Sequence, residues 1–212
     1  LGGATKTGHV VRGAQVVDIG GDGRPEVLSL DVDAPLLHVL DGTDPALPEL
    51  ATVSLADFIT EERDPSLHHI LNCVRVFPMS DGSVGLAVSD RGGRVTVGRL
   101  EGPREAPTLT VLASWEDDYP GAAAAADLDG DGHDEIYVGI GTWARRIWAL
   151  RPEADGTWTR YRPHPPSDLI NSELSGLVAV DTDGDGRDEL AGTMREWGGF
   201  DVRLWDAAPS GA

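Results

Sequence analysis

The chain has 212 residues, 40% of them hydrophobic, and a formal net charge of −19. That apolar share suffices for the core of one globular domain spanning residues 1–212. The charge excludes nucleic-acid binding through a basic footprint, and with no run of about 18 apolar residues no helical membrane span is expected.

In chain order, a short apolar strand at Gln15-Val16-Val17 runs into nine residues, Asp18-Ile-Gly20-Gly-Asp22-Gly-Arg24-Pro-Glu26. Asp18, Asp22 and Glu26 stand at positions 1, 5 and 9, and Gly20 takes position 3. A second strand slot follows, then a third at Leu36-Leu-His-Val-Leu40. Residues 54–72 are longer than a plain connection and have room for a short helix. Next comes Val74-Arg-Val-Phe77-Pro-Met79-Ser-Asp81-Gly82-Ser-Val84-Gly85-Leu86-Ala-Val88, which keeps the strand, the Asp-Gly of positions 5 and 6, and the strand after. Phe77, Met79 and Gly85 occupy positions 1, 3 and 9, so this copy is expected to bind no metal. Arg94-Val-Thr-Val97 fills the third-strand slot.

The fullest copies come last: Asp127-Leu-Asp129-Gly-Asp131-Gly-His133-Asp-Glu135 and Asp181-Thr-Asp183-Gly-Asp185-Gly-Arg187-Asp-Glu189. Carboxylates at positions 1, 3, 5 and 9 are the hard oxygen ligands that Ca2+ takes, and position 7 can add a backbone carbonyl. That carbonyl makes the side chain at position 7 (His133, Arg187, Arg24) immaterial. Glycines at positions 4 and 6 let the backbone reach positive φ around an ion. Asp-Gly segments also form ordinary turns, but two near-identical nine-residue strings favour the metal reading. An EF-hand would need flanking helices and Glu at position 12, where Val138 and Gly192 stand. The flanks are instead short and apolar. Alanines 122–126 suit a helix by propensity, yet equivalent slots hold Gln15-Val16-Val17 and Val178-Ala179-Val180, so a strand is expected there too.

The loop starts at 18, 77, 127 and 181 are 59, 50 and 54 residues apart. Repeats of this size built of short strands indicate a β-propeller or related array. The third repeat reads as strands at about 121–127, 135–140, 145–151 and 157–162, and the fourth runs out after its third strand. The repeats cover approximately 9–60, 70–115, 120–165 and 174–212. The N-terminal segment could supply the missing strand, or the four repeats could belong to a larger ring.

These loops, flanks and period resemble the FG-GAP or VCBS repeats of integrin-α-like propellers. The resemblance implies an all-β fold of four-stranded antiparallel blades, with calcium in the hairpin between the first two strands. The implied ligands are Asp127, Asp129, Asp131, the His133 carbonyl and Glu135; Asp181, Asp183, Asp185, the Arg187 carbonyl and Glu189; and, in a depleted site, Asp18, Asp22, the Arg24 carbonyl and Glu26. Three bound ions would bring the net charge to about −13.

No nucleophile elbow, zinc-protease helix, phosphate loop or paired-Cys motif occurs, so no catalysis is expected. His68-His69 reads as part of a polar segment, Asp31 and Asp33 as a solvated face, and 116–118 as an acidic connection. The lone Cys73 allows no intrachain disulfide and reads as a buried thiol. Five of the six tryptophans fall in the last two repeats, where large rings fill the wedge between blades. Trp143 and Trp197 sit in loop-like context and are candidates for contact with a protein or carbohydrate. The resulting expectation is a non-catalytic, calcium-stabilised interaction module. Its alternatives are a lectin-type propeller and a sensor domain of a signalling enzyme. Calcium dependence points to an extracellular, cell-surface or periplasmic setting. The chain does not open on Met, so its lack of a leader-like pattern says nothing about compartment.

Overall fold

A computed structural model describes residues 11–31, 35–58, 71–90, 93–117, 120–140, 146–163, 173–196 and 199–205. Fifteen strands form four antiparallel sheets among them, each paired in chain order. Blade 1 comprises β1 (Val11–Val17), β2 (Glu26–Asp31), β3 (Leu36–Asp41) and β4 (Glu49–Ser54). A 3-10 turn at Ala56–Phe58 follows. Blade 2 comprises β5 (Leu71–Pro78), β6 (Val84–Asp90), β7 (Arg94–Glu101) and β8 (Thr108–Glu116). Blade 3 comprises β9 (Pro120–Ala126), β10 (Glu135–Ile140), β11 (Arg146–Pro152) and β12 (Trp158–Tyr161). Among the described residues blade 4 has three strands, β13 (Glu173–Val180), β14 (Glu189–Glu196) and β15 (Gly199–Trp205). The architecture is that of a β-propeller.

Blades stack in sequence, and their first strands adjoin: β1 against β5, β5 against β9, β9 against β13. The stacking explains the patterning. A strand inside a blade is covered on both faces, so β6 and β10 are buried at every residue, and residues 84–88 and 136–140 within them read as largely apolar runs. Successive side chains of β6 still part company. Leu86 and Val88 enter the core shared with blade 1, while Ala87 enters the core shared with blade 3, as the two-residue period requires. Each such fully buried leucine contributes about 1.5–3 kcal/mol. A third core, between blades 3 and 4, joins Ala122, Ala124, Tyr137 and Ile147 to Leu190.

The alanine run is β9. It lies between β5 and β13 at the crowded inner edge, where only small side chains fit on both faces. Sheet packing there overrides helix propensity. In blade 3 the observed strands fall within one or two residues of the expected ones.

Covered faces give way to exposed ones on blades 4 and 1. In blade 4, Val178, Val180, Val202 and Leu204 are 55%, 39%, 71% and 55% exposed. The register Val178↔Ala191↔Leu204 puts them on one face, opposite Leu177, Ala179 and Trp205, which pack on blade 3. In blade 1, Val16 is likewise exposed. Of the segments read from sequence, the short-helix region holds the 3-10 turn, whose Phe58 is buried. Residues 59–70, with His68 and His69, and residues 1–10 lie outside the described residues, as does Asp33.

Candidate metal centres

The loops at 18–26, 77–85, 127–135 and 181–189 (loops 1 to 4) each join the first two strands of a blade. In loops 3 and 4 the sequence folds through self-bonding of its own acids. The Asp127 carboxylate accepts the N–H groups of Gly130, Asp131 and Gly132 at 2.8, 3.1 and 2.8 Å. The Asp181 carboxylate accepts those of Gly184 and Gly186 at 2.6 and 3.1 Å. At position 5, Asp131 takes the His133 N–H and Asp185 the Arg187 N–H, at 2.8 and 2.9 Å. Gly130 and Gly132 adopt φ of +74° and +87°, Gly184 and Gly186 +80° and +88°, a region that side chains with a Cβ seldom enter.

This backbone brings together one carboxylate oxygen each from Asp127, Asp129 and Asp131, all within 4.8 Å of one another, and likewise from Asp181, Asp183 and Asp185. Calcium–oxygen bonds of 2.3–2.6 Å put ligands of one ion up to about 5 Å apart, so both triads match the size of a calcium shell. Among the described residues no cationic side chain pairs with these six aspartates. The position-9 glutamates begin β10 and β14 and are buried, Glu135 at 2% and Glu189 at 6% exposure. Burial, followed by the negative field of Asp129, pushes the Glu135 carboxyl up to about 7, against the Tyr137 hydroxyl that donates to it at 3.2 Å. Glu189 accepts the Thr182 N–H at 2.8 Å and the Thr182 hydroxyl. The Arg187 side chain packs against Gly130, but clustered acids with no salt-bridge partner among the described residues are what a divalent cation would relieve.

Loop 1 is different. Asp18 accepts the Asp22 and Gly23 N–H groups at 3.0 and 2.9 Å, but Asp22 pairs with the Arg24 side chain at 2.7 Å. Glu26, fully buried, accepts the Ile19 N–H at 2.7 Å and faces Arg104. Its acids are not among those gathered around a common point.

Loop 2 has no carboxylate at positions 1, 3 or 9. A Cβ on Gly85 would lie 1.9 Å from the Phe77 ring, so the aromatic ring fills the place of the position-9 side chain. Met79 sulfur accepts the Ser83 hydroxyl at 3.4 Å, and Asp81 pairs with Arg99.

Hydrogen bonds connect the loops from blade to blade. Gly20 N–H donates to the Gly82 carbonyl at 3.3 Å. Ser80 N–H donates to Asp134 at 2.6 Å, and Asp127 N–H to Asp188 at 3.0 Å. The position-8 aspartates thus latch each loop to the preceding one. Sequence reasoning passed over them, although Asp at position 8 recurs in both full copies; Arg104 carried no local signal at all.

Trp143 and Trp197 lie outside the described residues. Trp148 packs between blades 2 and 3, donates its indole N–H to Asp117 at 2.7 Å, and stacks with Arg160 and Arg162. Trp205 packs between blades 3 and 4.

The family model of the FG-GAP-like repeat matches residues 127–191, from the first residue of loop 3 to the start of β14 beyond loop 4. No curated protein matches the chain. Among solved structures it is similar to the WD40 domain of SCAP from fission yeast, with 12% identity and a TM-score of 0.47 over 92% of this chain and 42% of that one. It is also similar to BBS1N in complex with ARL6DN, with 12% identity and a TM-score of 0.54 over 93% of this chain and 49% of that one. The chain spans less than half the length of either, and the likeness to BBS1N is one of fold. Residues 127–191 thus match an FG-GAP-like repeat, and the chain that carries them has the fold of a β-propeller.

Proposed function

We propose that this propeller is a non-catalytic interaction module whose loops 3 and 4 each bind one structural Ca2+. The observation that carries the reading is the pair of aspartate triads, each gathered within 4.8 Å and lacking any cationic partner among the described residues. In loop 3 the ion would be held by Asp127, Asp129, Asp131, the His133 carbonyl and Glu135. In loop 4 it would be held by Asp181, Asp183, Asp185, the Arg187 carbonyl and Glu189. Its chemistry is charge neutralisation that fixes a hairpin, with no reaction step attached. Loops of modest affinity stay loaded where calcium is millimolar, so an extracellular or periplasmic setting belongs to the proposal.

The interaction role draws support from the propeller fold, whose loops between strands lie at the surface where binding residues concentrate. Calcium titration with ion counting by native mass spectrometry tests the metal half. Two ions should bind per chain, with Asp129→Asn and Asp183→Asn each weakening one. A chain that binds no calcium at millimolar concentration would end the proposal.

A further inference from the structure

We propose that loop 1 takes an internal cation in place of calcium: the Arg104 guanidinium, delivered from the β7–β8 turn of blade 2, holds Glu26 and Asp41 and leaves this loop metal-free. The position-9 glutamate is buried in loops 1, 3 and 4 alike, at 0%, 2% and 6% exposure. A buried carboxylate needs a countercharge. In loop 1 that charge is in place. Arg104 is itself only 5% exposed, with Nη1 3.1 Å from Glu26, Nη2 2.7 Å from Asp41 and Nε 3.7 Å from Glu105. Arginine is almost never buried to this degree unless paired, and its planar fork suits two carboxylates at once.

The other departures of loop 1 fit the same arrangement. Position 3 is Gly20, at φ +83°, and a Cβ there would lie 3.3 Å from the Gly102 carbonyl. An aspartate at that position would press on the turn that carries Arg104. Losing the third ligand and gaining the arginine are therefore coupled. Asp22 has turned to Arg24, whereas Asp18 keeps the backbone bonds that Asp127 and Asp181 make in loops 3 and 4. Glu26 Oε1 has no hydrogen bond and is answered by the ion-pair contact with Arg104 alone. The clamp also spans blades, since Glu26 and Asp41 open β2 and close β3 while Arg104 belongs to blade 2. It does for blades 1 and 2 what the ions are proposed to do within blades 3 and 4. Only the ion count rests on the calcium reading; the clamp itself does not.

The test uses the full chain, with native mass spectrometry for ion count and hydrogen exchange in calcium and in EDTA. Two ions should bind, and EDTA should speed exchange at 127–135 and 181–189 while leaving 18–26 unchanged. Arg104→Gln should speed exchange at 18–26 equally in both conditions and lower the thermal midpoint by roughly 10 °C. A third ion appearing only in Arg104→Gln would also support the clamp, because the guanidinium would have been excluding it. Three ions in the unaltered chain, one of them lost in Glu26→Gln, would overturn it. So would an Arg104→Gln protein whose loop 1 exchanges at the original rate. Should Arg104→Gln fail to fold, the ion count and the EDTA response of 18–26 in the unaltered chain still decide. Binding of no ion at all would remove the calcium reading of loops 3 and 4, while the Arg104→Gln exchange result would still judge the clamp.

Discussion

Loops 1 and 2 occupy the same place in their blades as loops 3 and 4, yet the two pairs settle their electrostatics in opposite ways. In the first pair the acids turn to arginines: Asp22 to Arg24, Glu26 to the Arg104 that also holds Asp41, and Asp81 to Arg99. Loop 2 goes further and replaces the central ligands with the Phe77 ring over Gly85. In the second pair six aspartates converge in two groups with no such partner among the described residues. The backbone frame is shared, since positive-φ glycines and Asp-to-backbone bonds occur in loops 1, 3 and 4. The hairpin geometry is therefore set by local bonding, and the occupant of its centre is a separate variable: an arginine, an aromatic ring or, as proposed, an ion. That separation predicts which perturbations depend on calcium.

The largest effect belongs to the aromatic plug. Phe77 is 3% exposed, and Phe77→Ala would open a cavity above Gly85 with a cost of about 3–5 kcal/mol. Thermal melts should show the same loss in calcium and in EDTA. A loss that appeared only without calcium would mean that loop 2 depends on metal, and the contrast between the two halves would fail.

Calcium removal comes next and should act on the other half. At calcium ten-fold above the dissociation constant, each site adds about 1.4 kcal/mol, so stripping two ions costs about 3 kcal/mol. For a chain of 212 residues this corresponds to a midpoint drop of about 6–12 °C. Asp129→Asn combined with Asp183→Asn should abolish most of that response. An undiminished response in the double variant would place the ions elsewhere.

How much of this could be read from residues alone follows from the range of each interaction. The strands, their hairpins and both aspartate triads are encoded within nine to twenty residues, and local signals of that length are legible. Loop 2 is legible too, because Phe77, Met79 and Gly85 occupy the ligand positions themselves. Arg104 is not. It lies 78 residues beyond Glu26, in a turn belonging to another blade, and only the stacking of blades brings the two together. Asp134 and Asp188 were hidden for a related reason, since their partners Ser80 and Asp127 are 54 and 61 residues away. Trp148 reads correctly as a wedge between blades, but its bond to Asp117 turns an apparently plain acidic connection into an inter-blade anchor.

The position-8 latch gives a smaller, sharper test. Asp188 accepts the Asp127 N–H at 3.0 Å while its own N–H donates to the Asp127 carbonyl at 3.0 Å. Asp188→Ala removes the first bond and keeps the second. With Asp127 only partly buried, about 1 kcal/mol should be lost. Because Asp127 is a proposed ligand of loop 3, the variant should also weaken calcium at that loop several-fold without touching the ion. Unchanged affinity in both loops would show that the latch holds blades together without shaping the site.

The smallest effect is the acid response of the clamp in blade 1. The Thr43 hydroxyl, then Arg104, hold the Asp41 carboxyl down at about 2, below its ordinary 3.8. A folded value beneath the unfolded one means that this carboxylate stabilises the fold above about pH 4 and that the benefit fades as pH falls through about 2. The midpoint difference between the parent chain and Asp41→Asn should be level above pH 5 and close steadily between about pH 4 and 2. Run in EDTA, the measurement isolates Asp41 from the calcium loops. A gap that stayed constant down to pH 2 would mean that Asp41 is not ionised against Arg104, and that the guanidinium leans on Glu26 alone.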